Sequence, residues 1–183
     1  MTEDLPAAEG GHPPNFTQFL AGRTHAYGVF QDRFGRVRRS FKVVTTGRWD
    51  GSVFVLDETF DYSDGAHESR QWRIAKGAGN HFSATCTDCV GVAHGVADTR
   101  GWRMRYGFRL RLKTRTVVVR FDDRMICVGR HLAINRARVS KWGVTLGEVL
   151  IVFERQDVAQ DVAQDFGRQD GRWRLSDFAD AAE

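Results

Sequence analysis

Cysteine and proline are scarce in this chain of 183 residues, and long apolar runs are absent. The three cysteines are an odd and low number, which does not suggest a secreted disulfide scaffold. No stretch of about 18 apolar residues is present that would span a bilayer as a helix. The acidic N-terminal segment MTEDLPAAEG has no apolar core. We therefore predict no signal peptide and expect a cytoplasmic protein.

The motifs of several enzyme classes are also missing from the sequence. It contains no glycine-rich phosphate loop, no G-x-S-x-G elbow and no H-E-x-x-H zinc motif. The six histidines are scattered, and none forms a metal-ligand pair at short spacing. We predict neither a metal ion nor another cofactor.

Cys86 and Cys89 form a C-x-x-C motif, but no second pair is present to complete a zinc site. We place the motif within one strand, where residues i and i+3 point to opposite faces and would not chelate together. A thioredoxin-like site needs a helix N-terminus, which this region does not offer. We interpret Cys86 and Cys89 as two unrelated strand cysteines.

The charge of the chain is mildly basic, with 27 Lys and Arg against 23 Asp and Glu and a net charge of +4. The arginines are scattered along predicted strands and do not cluster with exposed aromatic residues. None of the common nucleic-acid-binding motifs is present, so we expect no nucleic-acid partner. Peripheral contact with an anionic membrane stays open, because a basic surface is attracted to such lipids.

Short β-rich runs separated by turn signals fill the chain from about residue 23 to residue 154. Asp-Gly pairs at 50–51 and 64–65 are strong hairpin signals. Nine to eleven such runs would form a wide sheet, and an open sheet would expose two long edges. Closure of the sheet into a barrel is therefore favoured over an open sheet. The sequence predicts an all-β fold, a single antiparallel up-and-down barrel of the lipocalin or calycin type with about eight to ten strands.

The domain organisation that follows has one folded unit. We predict a polar, disordered leader at 1–15 and the barrel domain at 16–155. The segment 156–183 is predicted to be a polar tail or a short helix, since Val158, Val162 and Phe166 fall on one helical side.

The segment 102–113 alternates between apolar and basic residues, as a strand with two different faces does. One face carries Trp102, Met104, Tyr106, Phe108, Leu110 and Leu112, and the other carries Arg103, Arg105, Arg109, Arg111 and Lys113. The apolar face is predicted to line the barrel interior. The basic face is interpreted either as a solvated exterior or as a surface for an anionic membrane or partner.

Three charged residues are predicted to point into the barrel. Glu58 shares a face with Phe54, Leu56, Phe60 and Tyr62. Arg70 shares a strand face with Trp72 and Ile74. Asp123 shares a strand face with Val117, Val119 and Phe121. Asp122 then lies outside, although a bulge would exchange the two aspartates. An unpaired buried charge is very costly, so these groups should be paired.

Two interpretations of this charged interior stay open. It is either a polar end that orients the head group of an amphiphile or a structural ion-pair network that plugs the barrel. The candidate ligand contacts are Phe54, Phe60, Tyr62, Arg70, Trp72, Tyr106, Phe108, Asp122, Asn135 and Arg136. Glu58 and Asp123 are the catalytic candidates if the protein is an enzyme, because burial would raise the pKa of either carboxyl group. Glu148 is a candidate third interior acid.

An ordered series of short motifs runs through residues 16 to 154: GVFQDR, RRSF, GRWDG, LDETF, YSDG, RQW, FDDRM, NR and GE. Together they resemble an uncharacterised bacterial family, the domain of unknown function numbered 3833. The resemblance implies a lipocalin-like barrel. Members are often predicted lipoproteins, and related genes occur among genes for cyclopropane-type fatty-acid modification, which implies a fatty-acid or lipid ligand.

Two features depart from that family, and no activity is carried over from it. The chain shows no lipid-attachment cysteine near its start, so the membrane anchor is not expected here. Arg124 stands where we expect the family to prefer an aromatic residue.

Three hypotheses of function follow. The leading one is binding of a fatty acid or similar apolar molecule inside the barrel. The second is a lipid-modifying enzyme of the isomerase, cyclase or hydratase type, with Glu58 or Asp123 as general acid or base. The third is an adaptor that acts through its basic surface and has a filled barrel. The oligomeric state stays open, and a hollow interior would count against the third.

Overall fold

The computed structural model describes residues 15–112 and 114–155 of the chain. This part contains ten strands and one short helix, joined by turns. The elements in chain order are α1 (Phe16–Leu20), β1 (Gly22–Asp32), β2 (Val37–Asp50), β3 (Val53–Tyr62), β4 (His67–Lys76), β5 (His81–Cys86), β6 (Cys89–Asp98), β7 (Gly101–Arg111), β8 (Thr116–Cys127), β9 (Leu132–Lys141) and β10 (Val144–Arg155). The predicted tail at 156–183, and all but the last residue of the predicted leader, lie outside the described residues.

The strands form a closed antiparallel barrel in which each strand pairs with its neighbours in the chain and β1 pairs with β10. This confirms the predicted up-and-down barrel. Strand β8 is continuous, because Asp122 and Asp123 keep the pairing with both β7 and β9. Closure protects most of the edges that an open sheet of ten strands would expose.

Helix α1 closes one end of the barrel. Asn15 and Gln18 form a capping box that satisfies backbone groups at the start of this single turn. Phe19 is fully buried, and Phe16 packs on Phe82 with ring centroids 5.3 Å apart. Gly47 permits this docking, since a Cβ at that position would overlap the carbonyl oxygen of Leu20. The helix was not predicted, although an Asn followed three residues later by a Gln is a capping signal.

The opposite end of the barrel is open and has a gap in its wall. The turns at 33–36, 63–66, 87–88 and 142–143, together with residues 112, 114 and 115, surround this end. Pairing between β4 and β5 stops at Trp72 opposite Cys86, and pairing between β6 and β7 stops at Cys89 opposite Phe108. Residues 67–71 of β4 and 109–111 of β7 extend beyond the β5–β6 hairpin. We call the gap between them the notch.

The prediction that Cys86 and Cys89 lie in one strand with opposed side chains is wrong. Strand β5 ends at Cys86, the turn takes two residues, and β6 begins at Cys89. The turn sequence Thr87-Asp88 contains neither glycine nor proline, so it lacks the signals that marked the hairpins at 50–51 and 64–65. Because the chain reverses between them, the two cysteines lie side by side.

Candidate functional site

The barrel encloses a cavity of about 470 Å³ that runs from α1 to the open end. This volume lies within the range of small-molecule sites in proteins. The lining near α1 is apolar and consists of Phe16, Leu20, Phe82, Trp102, Met104 and Met125. The lining near the open end includes charged residues, among them Arg38, Arg39, Glu68, Arg70 and Arg111. The interior is therefore hollow, apolar at its closed end and charged at its mouth.

Most of the candidate residues lie on the cavity wall. For β3, β4, β7 and β8, the alternation of the sequence indicated which residues face the interior. The structure brings together Glu58, Phe60, Tyr62, Arg70, Trp72, Tyr106, Phe108, Asp123 and Asn135. Phe54 also points inward, but it lies at the closed end, where its ring contacts Trp49 and the backbone of Gly47. It is not part of the cavity lining.

Asp122 and Arg136 do not reach the cavity, and this corrects their selection as ligand contacts. Strand β8 alternates without a bulge around Asp122, so its carboxylate lies outside and accepts hydrogen bonds of 2.8 and 2.7 Å from Arg103 and one of 3.0 Å from Arg105. Arg136 follows the inward-pointing Asn135 and donates two hydrogen bonds, of 3.0 and 2.6 Å, to Glu148.

Glu148 is therefore an outer residue and not a third interior acid. A register shift between Thr145 and Gly147 inserts one residue into β10, so the inward frame changes from Leu146 to Val149. The exposed outer arginines of this wall are Arg103, Arg105, Arg120, Arg124, Arg136 and Arg138. Contact of this surface with an anionic membrane stays a prediction.

Arg70 is the central charge of the site. Its side chain is 17% exposed, and its Cζ lies 5.0 Å from the ring centre of Phe60 and 4.6 Å from that of Phe108. The two rings attract the guanidinium through their π faces. The nearest carboxylate oxygens belong to Glu58, at 3.9 Å, and Glu68, at 4.0 Å, both beyond hydrogen-bond length. Among the described residues, none hydrogen-bonds the buried Nε of Arg70.

Glu58 is the direct cross-strand neighbour of Arg70. Its side chain is 12% exposed, and it accepts a hydrogen bond of 3.1 Å from the indole Nε1 of Trp72. Burial raises the pKa of Glu58, while the charge of Arg70 and the hydrogen bond from Trp72 act in the opposite direction. The pKa of Glu58 is thus coupled to the charge of Arg70.

Asp123 lies deeper than Arg70. On β7, Phe108 contacts Arg70, Tyr106 is the next inward residue, and Met104 is paired with Asp123. The carboxyl group accepts hydrogen bonds of 2.6 Å from Asn135 and 3.2 Å from the Tyr106 hydroxyl. Burial raises the pKa of Asp123 to about 7, despite those two hydrogen bonds, and the charge of Glu58 adds to the increase. Its proton is therefore exchangeable near neutral pH.

The mouth contains an aromatic and charged cluster that sequence analysis missed in part. The Tyr62 hydroxyl donates a hydrogen bond of 3.0 Å to Glu68, and Arg39 Cζ lies 3.4 Å from the centre of the Tyr62 ring. Glu68 stands two positions before Arg70, so the same alternation that placed Arg70 inside would have placed Glu68 there. Arg39 had no such signal, because it lies where β1 and β2 pair irregularly.

The family described as "Protein of unknown function (DUF3833)" matches residues 7–155 of this sequence. The chain belongs to the DUF3833 family. A solved structure of an S-type phycobiliprotein lyase from Guillardia theta is similar to this DUF3833 protein with a TM-score of 0.56. The two share 7% sequence identity over 77% of this chain and 90% of the lyase chain, so the likeness is one of fold. No curated protein matches the sequence.

Two further observations concern only residues 15–112 and 114–155 of the DUF3833 protein. None of their helices is long and apolar enough to cross a membrane. No cluster of three or more His, Cys, Asp or Glu side chains in this part of the chain could hold a metal ion.

Proposed function

We propose that this barrel binds an anionic amphiphile, most simply a fatty acid, with its carboxylate at Arg70 and its chain directed toward α1. The observation that carries the proposal is the state of Arg70, a buried guanidinium whose Nε has no hydrogen-bond partner among the described residues. A guanidinium offers five N–H donors in a planar fork that matches a carboxylate. Hydrogen bonds to charged groups contribute about 1.5–3 kcal/mol, so leaving them unmade is costly.

The remainder of the cavity suits an alkyl chain. From Arg70 inward, the lining passes Tyr106 and reaches the apolar end formed by Phe82, Trp102 and Met125. Burial of each methylene contributes about 0.8 kcal/mol, independent of the exact contact geometry. The head group therefore supplies orientation, and the chain supplies most of the affinity.

Fatty-acid binding by an Arg70→Met variant tests the proposal. We expect the variant to bind palmitate at least about tenfold more weakly than the wild type, because the charged hydrogen bonds are lost. Binding of hexadecanol, which has no carboxylate, should change much less. Arg105→Met, which removes an outer arginine that pairs with Asp122, is the matched control.

Equal palmitate affinity in the wild type and in a folded Arg70→Met variant would refute the placement of the head group. The absence of any lipid uptake by the wild type, together with no lipid in mass spectra of the purified protein, would refute the proposal as a whole.

A second candidate function, lipid modification by acid–base catalysis, is favoured by Asp123. Its pKa of about 7 and its fixed hydrogen bonds to Asn135 and Tyr106 are properties that a general acid or base needs. A chain whose carboxylate is at Arg70 would pass Asp123 several bonds from its head group. The same fold serves a phycobiliprotein lyase, so the barrel is compatible with an enzyme.

Incubation with oleate in deuterated water tests this second function. Proton transfer to a chain carbon, by isomerisation or hydration, would add deuterium, and Asp123→Asn should abolish this incorporation while palmitate still binds. If the wild type incorporates no deuterium, or if Asp123→Asn incorporates as much as the wild type, Asp123 has no such role.

A further inference from the structure

The Cys86 and Cys89 thiols lie together beside the notch and have no part in the proposed binding of the amphiphile. Cys86 is paired with Trp72 and Cys89 with Phe108, so both side chains share the inward face of the barrel wall. The two thiols hydrogen-bond to each other. Residues on either side of a two-residue turn have Cα atoms less than about 7 Å apart, which overlaps the separation that a disulfide spans.

The surroundings of the two thiols divide the chemistry between them. The hydrogen bond from Cys89 lowers the pKa of Cys86. The charge of Arg70 and the backbone N–H groups of Asp88 and Cys89 lower this pKa further, whereas burial of the thiol raises it. The hydrogen bond to Cys86 and burial raise the pKa of Cys89. Cys86 is half-buried and Cys89 is buried. Cys86 is therefore the more acidic of the two thiols and the first to form a thiolate.

The turn that carries the cysteines is fixed to β7 by arginine side chains. The backbone N–H of Arg109 donates to the Asp88 carbonyl at 2.8 Å, and its guanidinium donates to the Cys89 carbonyl at 2.9 Å. Arg111 forms an ion pair of 2.9 Å with Asp88. Reactive cysteines characteristically lie in such electropositive and partly exposed positions.

We propose that Cys86 and Cys89 form a thiol–disulfide exchange site at the mouth of the cavity, whose substrate is a low-molecular-weight disulfide that enters through the notch. The Cys86 thiolate attacks one sulfur of the substrate, and a mixed disulfide forms as the first thiolate leaves. That thiolate takes the proton of Cys89. The Cys89 thiolate then attacks Cys86 Sγ and displaces the second thiolate, which takes a proton from water. The protein dithiol is oxidised by two electrons, and the substrate is reduced to two thiols.

Oxidation of the full-length reduced protein by glutathione disulfide tests this site. We expect the wild type to lose the mass of two hydrogen atoms, and peptide mapping to place one disulfide between Cys86 and Cys89. Cys89→Ser should stop at a glutathione adduct on Cys86. Cys86→Ser should react at least about tenfold more slowly at neutral pH, because burial still raises the pKa of the two remaining thiols.

Cys127→Ser is the matched control, because Cys127 is buried in another part of the barrel and burial raises its pKa to about 11. This variant should oxidise at the wild-type rate. The proposal is overturned if glutathione attaches to Cys89 or Cys127 in place of Cys86, or if the wild type forms no internal disulfide. Peptide mapping of the wild type alone distinguishes these outcomes, even if a variant fails to fold. These outcomes are measured without added fatty acid, so failure of this site and failure of the proposed fatty-acid binding are distinguishable.

Discussion

Replacing Glu58 by glutamine should make this protein bind fatty acids more tightly at pH values above the pKa of Glu58. The Glu58 carboxylate lies 3.9 Å from Arg70 and competes with a ligand carboxylate for the same guanidinium. Glutamine keeps the side-chain length and can still accept the hydrogen bond from Trp72, but it carries no charge. The substitution therefore removes the competitor and leaves the packing in place.

The size of the effect follows from the charges that face Glu58. These are Arg70 on the neighbouring strand and Asp123 across the interior, with the un-ionised Trp72 and Tyr106 between them. Two unit charges about 4 Å apart interact by about 4 kcal/mol at an effective dielectric constant of 20, which is a ceiling here. When a ligand carboxylate binds Arg70, Glu58 avoids repulsion between the two carboxylates by taking up a proton. This protonation costs about 1.4 kcal/mol for each pH unit above the Glu58 pKa.

The expected result is a difference in pH dependence between the two proteins. When the ligand carboxylate occupies Arg70, the pKa of Glu58 rises further, so binding takes up a proton. The Kd of the wild type for palmitate should then rise by up to about tenfold per pH unit above the Glu58 pKa. In Glu58→Gln this dependence should disappear, apart from a component near pH 7 that belongs to Asp123.

Isothermal titration calorimetry in two buffers of different ionisation enthalpy measures the proton uptake directly, between pH 6 and pH 9. Glu68→Gln is the control, because Glu68 lies at a similar distance from Arg70 but is 48% exposed and screened by solvent. If Glu58→Gln and the wild type have the same Kd and the same proton uptake throughout this pH range, the competition between Glu58 and the ligand does not exist.

Three other predictions concern Asp123, the acyl chain and α1. The pKa of Asp123 is raised in the folded state from 3.8 to about 7. The free energy of unfolding of the wild type should therefore fall as the pH rises from about 4 to about 7, by at most about 4 kcal/mol. Urea titrations of Asp123→Asn should show no such loss. Shortening the bound fatty acid by two methylenes should weaken binding by about 1.6 kcal/mol, or about 15-fold, whereas no dependence on chain length would place the chain outside the cavity. Gly47→Ala should lower the thermal midpoint, because its Cβ would overlap the Leu20 carbonyl, while Gly129→Ala, whose Cβ would meet no atom within 4 Å, should leave the midpoint unchanged.

The parts of the site that sequence could predict are those that depend on local alternation. Glu58, Arg70 and Asp123 were placed inside because a strand of period two assigns each residue to a face from its immediate neighbours. Glu148 was misplaced because one inserted residue in β10 reverses the alternation, and nothing in the local pattern marks the insertion. Helix α1 has five residues, too few for a helical period to be visible.

Distances on the two sides of the barrel wall favour a binding site over a structural plug. Outside, the acids and arginines are in direct contact, with Arg103 and Asp122 at 2.7 Å and Arg136 and Glu148 at 2.6 Å. Inside, where an unneutralised charge is far more costly, Arg70 stays 3.9 Å from its nearest carboxylate and is held by aromatic rings. A plug would bring the buried pair into contact at least as close as the exposed ones. The wider spacing leaves the donors of Arg70 available to a ligand, which is why we favour the binding site.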